Sequence, residues 1–403
     1  MEIWKRNLFV LCGALFIVMV GMSMVMPFLP LFIQEELHIT DTNDATLWSG
    51  IIFGANFLTA GLVSPIWGNL ADKYGRKIMI LRSGFLMSIT IGLTGLAGNV
   101  WHLLLLRLLN GTISGIIPAS NALVASSVPK ERSGWALGIL QSCVVSGSIM
   151  GPFFGGLLAD LVGYRAVFMV TGGLLFIATL IITFTVKEDF TPLPKTEQTS
   201  LRDDFKMVFT SKTLPVLFAV TVIIQFALNG IVPILPIFVK ELIGSGDKVA
   251  FFAGMVTAMT GVANVLASPQ LGKLGDRIGS HKVLLGCLLA SAIVYIPTAM
   301  VQSFWQLLIL RFLAGLCVGG LLPAVNSLLR QATPSHMVSR VFGYNNSFLC
   351  LGNMLGPMTG GFLAGYVGLN GVFLMTSILL FLNFLWFLYV VRHGFQAVSS
   401  DKA

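Results

Sequence analysis

The chain has 403 residues, 55% hydrophobic and 10% charged, where a soluble globular domain carries about 25% charged residues. That balance argues against a cytosolic enzyme. Apolar runs of about 20 residues, each able to cross a bilayer core of about 30 Å as a helix, make a polytopic membrane protein the expectation. The net charge of +8 lies in short clusters between apolar runs, a pattern of topology and not of nucleic-acid binding.

Lys5 and Arg6 precede a first apolar stretch, 8–33, which is too long for a signal peptide, lacks a small-residue cleavage site and so stays as the first span. Eleven more follow: 47–70, 78–98, 101–125, 134–158, 165–186, 214–239, 249–271, 283–301, 304–329, 341–366 and 370–391. The expected fold is an all-α membrane protein, twelve transmembrane helices in two six-helix pseudo-symmetric bundles. These are 1–187 and 214–403, joined by a polar linker, 188–213, with a short surface helix over Leu201 to Phe209.

With both termini cytoplasmic, the inner segments collect Lys5, Arg6, Lys73, Arg76, Lys77, Lys130, Arg132, Lys273, Arg277, Lys282, Arg330, Arg340 and Arg392, whereas the outer loops hold only Arg165, Lys240 and Lys248. This asymmetry obeys the positive-inside rule. The five cysteines lie in apolar runs without metal-ligand spacing, so neither a disulfide framework nor a metal is expected. No cofactor is expected either, and no nucleophile elbow, metal-binding His/Glu set or phosphate loop suggests an enzyme.

A shift of 204 to 206 residues brings the halves into register. Pro27 and Pro30 return as Pro233 and Pro236; Gly68, Asp72 and Gly75 as Gly272, Asp276 and Gly279; Arg107 and Gly111 as Arg311 and Gly315. Gly147, Gly151, Pro152, Gly155 and Gly156 return as Gly352, Gly356, Pro357, Gly360 and Gly361. Each half has an even number of spans, so the repeats are related by an axis along the membrane normal. Such a repeat points to a carrier with a central cavity and alternating access.

Three motifs carry chemistry. After the second span, Gly68, Asp72, Gly75, Arg76 and Lys77 form a tight turn with a carboxylate and a basic pair, a candidate conformational latch with Asp276 as its weaker repeat. The fifth span carries Gly147-x-x-x-Gly151-Pro152-x-x-Gly155-Gly156, repeated around Gly356 and Pro357; small residues permit close helix contact and proline bends the helix, which suits a hinge or seal. The fourth span contains Arg107-Leu108-Leu109-Asn110-Gly111.

These motifs resemble the signatures of the major facilitator superfamily, and within it the twelve-span drug:proton antiporter branch, in which the fifth-span pattern is associated with export. Ser142 departs from that signature where glycine is usual, and Asn110 stands where glutamine is common. The resemblance implies a multidrug efflux transporter of the bacterial inner membrane, exchanging small amphiphilic substrates for protons, and an uptake carrier for a nutrient or organic anion is the alternative. A monomer in the lipid bilayer, with no nucleic-acid partner, is expected.

Charges inside spans are functional candidates because lipid excludes them at a cost of about 3 kcal/mol. Arg107 and Arg311, six residues beyond Trp101 and Trp305, lie about 9 Å deep at helical rise. With no deep acidic partner they favour anionic or zwitterionic amphiphiles. Arg82 is expected to snorkel to the inner surface. The neutral candidates for substrate contact are Asn110, Asn121, Asn229 and Asn326, with Met26 as a pliable wall residue. The acids all fall at span ends or in loops, so the proton-coupling candidates are Glu35, Glu36, Asp72 and Glu241.

Overall fold

The computed structural model describes residues 2–25, 28–129, 133–188, 213–244, 248–333 and 338–393. Met26 and the segment Leu201 to Phe209 lie outside them, and Asp72 is described by its backbone alone. The described residues form helices only. In chain order these are α1 (Ile3–Met24), α2 (Leu29–Glu35), α3 (Thr42–Tyr74), α4 (Arg76–Thr94), α5 (Val100–Ile113), α6 (Ile116–Ser127), α7 (Ser133–Val162) and α8 (Tyr164–Thr185). There follow α9 (Leu214–Asn229), α10 (Leu235–Ile243), α11 (Val249–Ile278), α12 (Ser280–Thr298), α13 (Phe304–Val318), α14 (Leu321–Gln331) and α15 (Val338–His393).

Among the described residues, ten helical stretches are long and apolar enough to cross a bilayer, against twelve spans read from the sequence. The seventh expected span is interrupted between α9 and α10, which leaves Leu214–Asn229 short of a full crossing. The eleventh and twelfth run on as α15, kinked at Gly368, where φ is 72°.

Four of the expected spans are broken, and they are related by the repeat. The first becomes α1 and α2, the seventh α9 and α10; the fourth breaks at Ser114–Gly115 and the tenth at Gly319–Gly320. At the fourth-span break the backbone turns through Gly115 at φ +139°, a conformation that costs a residue with a Cβ far more than glycine. A break frees carbonyls that lipid cannot solvate, so it must face protein or a water-lined space.

Helix starts are written locally. Asp41 accepts from the Asn43 and Asp44 amides at 2.7 and 3.2 Å and starts α3; Asn99 accepts from His102 N–H at 2.8 Å and starts α5. Its repeat counterpart Ser303 does the same for α13 through Gln306 N–H. Each satisfies one of the amides that a helix N-terminus leaves over.

Contacts gather the helices into two compact units. One holds α1–α8, α10 and α11 up to Ala258; the other holds α9, α11 from Met259, and α12–α15. In the first unit α1 packs along α7 and α8, α4 lies on α8, and α3 lies on α5. Phe28, fully buried, meets Phe168 edge-on at 5.5 Å and Tyr164 at 5.6 Å, fixing the loop before α2 against α8. In the second unit α15 packs on α9 and α12, and α13 on α12.

Candidate functional site: arginines, a glycine seal and an acidic end

The three membrane arginines have three different environments. Arg82 does not snorkel. Its guanidinium stacks on the Trp67 ring, 3.2 Å from the centroid, and its Nη2 donates to the carbonyls of Ile113 and Ser114 at 3.3 and 3.4 Å. Those carbonyls are freed where the fourth span breaks, and Trp67 Nε1 takes a third, Thr112 O, at 2.7 Å. The break thus draws the arginine inward, because a carbonyl without a helical partner in lipid is itself expensive.

Arg107 is half-buried, and its Nε and Nη2 are shielded from water without a hydrogen-bond partner in the described structure. Arg311, in the second unit, is buried and donates through Nη1 to Tyr295 Oη at 3.5 Å, while its Nε has no partner among the described residues. Each retains N–H donors able to meet an anionic group.

Two of the four asparagine candidates bond elsewhere. Asn110 is buried and its Nδ2 donates to Thr90 Oγ1 at 3.1 Å, tying α5 to α4. Asn229 donates to Gln225 O and, at 3.0 Å, to Asn353 Oδ1, tying α9 to α15. Both therefore act as interhelical ties. Asn121 is half-buried on α6, and Asn326 is exposed on α14.

The Gly-Pro helix has two working faces. Gly147, Gly151 and Gly155 face α1: a Cβ at Gly147 would stand 2.6 Å from Phe16 O, and one at Gly155 would overlap Met24 O. Pro152 and Gly156, one position round, face the start of α11, where Gly254 abuts Pro152 O and Gly156 abuts Ala250 O. In the repeat, Gly352, Gly356 and Gly360 face α9 against Gln225, Phe226 and Gly230. Pro357 lies within α15 on the face next to these glycines. One turn beyond Gly156, Asp160 Oδ2 accepts from Phe251 N–H at 2.7 Å, and the carboxylate also accepts from Ala250 N–H.

At the turn between α3 and α4, Gly75 sits at φ 97°, and the repeat turn uses Gly279 at φ 99°. The first amides of α4, Arg76 N–H and Lys77 N–H, donate to both carboxylate oxygens of Glu188 at 3.0 and 2.7 Å. Lys77 Nζ donates to Thr183 O at 3.0 Å. Asn7 and Lys187 exchange two hydrogen bonds, Asn7 Nδ2 to Lys187 O at 2.6 Å and Lys187 N–H to Asn7 Oδ1 at 3.1 Å. The basic pair is thus held to the end of α8. Gly68 lies in the last turns of α3, and Asp276 is exposed on α11.

The remaining acids cluster at the opposite end of the first unit. Glu36 Oε2 pairs with Arg165 Nε at 2.7 Å, while Arg165 Nη1 also donates to Gly95 O and Ala97 O. Glu35 Oε1 pairs with Lys240 Nζ at 2.8 Å and is hydrogen-bonded by Tyr164. A cavity of about 660 Å³ opens there, lined by Gln34, Glu35, His38, Thr40, Lys240 and Glu241 among others. Partial burial raises the Glu241 carboxyl above its ordinary pKa. No group of three or more His, Cys, Asp or Glu side chains able to hold a metal occurs among the described residues.

The family model for the Major Facilitator Superfamily matches the chain twice, over residues 11–262 and 217–402. The chain belongs to the major facilitator superfamily. Its relatives include Multidrug resistance protein MdtG of Escherichia fergusonii, 44% identical over 383 residues, 95% of this chain and 94% of the relative. The protein of the same name from Salmonella typhimurium is 44% identical over 93% of this chain and 92% of its own. Two solved structures show the same fold. A bacterial homolog of the human lysosomal transporter Spinster, inward-facing and occupied, has TM-score 0.79, 17% identity and 97% coverage of both chains. The nucleoside transporter NupG has TM-score 0.79 and 14% identity, covering 95% of this chain and 99% of its own.

Within this superfamily member, sequence reasoning passed over four residues that the fold puts to use. Glu188 closes the motif turn from 112 residues away, and only its place directly after a span hinted at it. Tyr295 was hidden in an apolar run. Trp67 directly precedes Gly68 of the motif in the sequence. Asp160 continues the Pro152, Gly156 spacing by four, a signal visible in the sequence once the helix is extended to Val162.

Proposed function

We propose that this superfamily member is a multidrug exporter of the bacterial inner membrane that exchanges amphiphilic drugs for protons by alternating access, with both termini cytoplasmic and the repeats 1–187 and 214–403 as its halves. The observation that carries this reading is 44% identity over 95% of the chain to MdtG. The Gly-Pro helix supports it, since its glycines meet neighbouring backbone on both faces. Arg107 and Arg311 are the substrate anchors: their spare N–H groups lack partners among the described residues, and a buried guanidinium binds carboxylate or phosphate more strongly than a neutral donor does. The preferred substrates are therefore anionic or zwitterionic amphiphiles. Asn121 is the remaining neutral contact on the first half.

The test is drug uptake into inverted membrane vesicles acidified inside. An exporter accumulates drug against that gradient, and matched anionic drugs accumulate faster than cationic ones. Loss of drug from the vesicles under the same gradient would instead establish an uptake carrier, and preference for cations would remove the role given to the arginines.

A further inference from the structure

Asp160 is the one carboxylate on the Gly-Pro face, and its partners are backbone amides of another helix. Pro152, Gly156 and Asp160 follow one another at intervals of four, and all three meet the first turns of α11. The amides of Ala250 and Phe251 belong to the turn that an α-helix leaves without internal acceptors. An ionised carboxylate accepts from both and is attracted by the positive end of the helix. Protonated, it keeps one good acceptor, gains a donor that these amides cannot use and loses the charge attraction. The tie between α7 and α11 is thus conditional on the charge of one group.

The surroundings give that group access to protons. Glu35 and Lys248 act on Asp160 through space, and Tyr164, bonded to Glu35, faces the same carboxylate. Glu35 and Lys240 line the 660 Å³ cavity with His38 and Glu241, while Glu36 is held by Arg165 on the next helix. The chain does not repeat the device. At the position matching Asp160 in the second half stands Gly365, so the pseudo-symmetric seal there has no carboxylate to titrate.

We propose that Asp160 is the positioning residue that couples proton uptake to opening: ionised, it clamps the start of α11 to the Gly-Pro helix, and protonation from the cavity end releases it. The proposal rests on the proton-exchange reading and on the orientation that turns this cavity outward. Its test has a readout independent of drug movement: hydrogen exchange in the 249–254 segment of the full chain in nanodiscs, measured across pH and corrected for intrinsic rates. The wild type shows a loss of protection on acidification. Asp160→Asn, which keeps one acceptor and so the fold, lacks that step, and Asp160→Glu retains it at a shifted pH. In proteoliposomes Asp160→Asn slows proton-driven drug exchange by about tenfold or more, the scale of an ordinary coupling between two ligands, and leaves drug binding intact. An Asp160→Asn protein that keeps the wild-type pH step, or the wild-type pH profile of exchange, overturns the proposal. A wild type that shows the step yet moves no drug overturns the exporter reading and leaves the clamp standing.

Discussion

Arg107 and Arg311 are related by the repeat yet differ in what they keep free. Arg311 has given one donor to Tyr295 and retains an unpartnered Nε; Arg107 retains Nε and Nη2 without partners. A hydrogen bond to a charged group contributes about 1.5–3 kcal/mol, so Arg107→Gln should weaken binding of an anionic drug by roughly 10- to 100-fold. Its effect on an uncharged drug should stay within about threefold. Tyr295→Phe should act in the opposite sense, freeing Arg311 Nη1 and tightening anionic ligands. Scintillation proximity binding with a matched drug pair checks both, and equal losses for the two drugs would assign Arg107 a structural role. Depth and charge single these residues out in the sequence as candidates. The inward turn of Arg82 was not legible there, because it depends on carbonyls released by a break about thirty residues further along the chain.

At the scale of elements, the apolar runs made the all-helical membrane architecture legible, although twelve spans were expected where ten long apolar stretches stand among the described residues, and the glycine spacing foretold close packing. What stayed hidden was the breaking of spans one, four, seven and ten. Ser114–Gly115 and Gly319–Gly320 sit inside apolar runs that hydropathy reads as continuous, and the turn at Gly115 is a backbone property that composition does not report. The glycine faces give a graded expectation. Adding one methyl to a filled interface costs about 1–3 kcal/mol, so Gly155→Ala, against Met24, and Gly360→Ala, against Gly230, should each lower thermal stability in detergent and cut transport. Gly173→Ala, on α8 with open space around its Cβ position, should be neutral or slightly stabilising through its better helix propensity. Thermal unfolding of the three variants side by side measures this, and a tolerant Gly155 and Gly360 would remove the seal from both repeats.

At the scale of the molecule, the contacts and the repeat answer different questions. The repeat divides the chain at its polar linker, while contacts group α10 and the first turns of α11 with α1–α8. That grouping was illegible in the sequence because it is made by Asp160 on backbone amides, Glu35 on Lys240 and glycine on carbonyl, none of which leaves a periodic pattern. Charge asymmetry predicts an orientation with the Gly75 end inside. Of the bases assigned to the outside, Arg165 and Lys240 are matched by carboxylates, and Lys248 lies within electrostatic reach of Asp160. The Gly75 end carries Lys73, Arg76 and Lys77, a basic cluster of the kind the positive-inside rule assigns to the cytoplasmic face.

This orientation decides from which side Asp160 receives its proton, and it can be read directly. In a background with the five native cysteines replaced by alanine, Thr40→Cys, on the cavity rim and exposed, should react with a membrane-impermeant maleimide on intact cells. Lys73→Cys and Lys273→Cys, exposed on the repeated turns, should react only after permeabilisation. The reverse pattern would put the cavity in the cytoplasm. An external proton would then have no route to the clamp, and a device that opens on protonation would oppose export driven by the proton gradient.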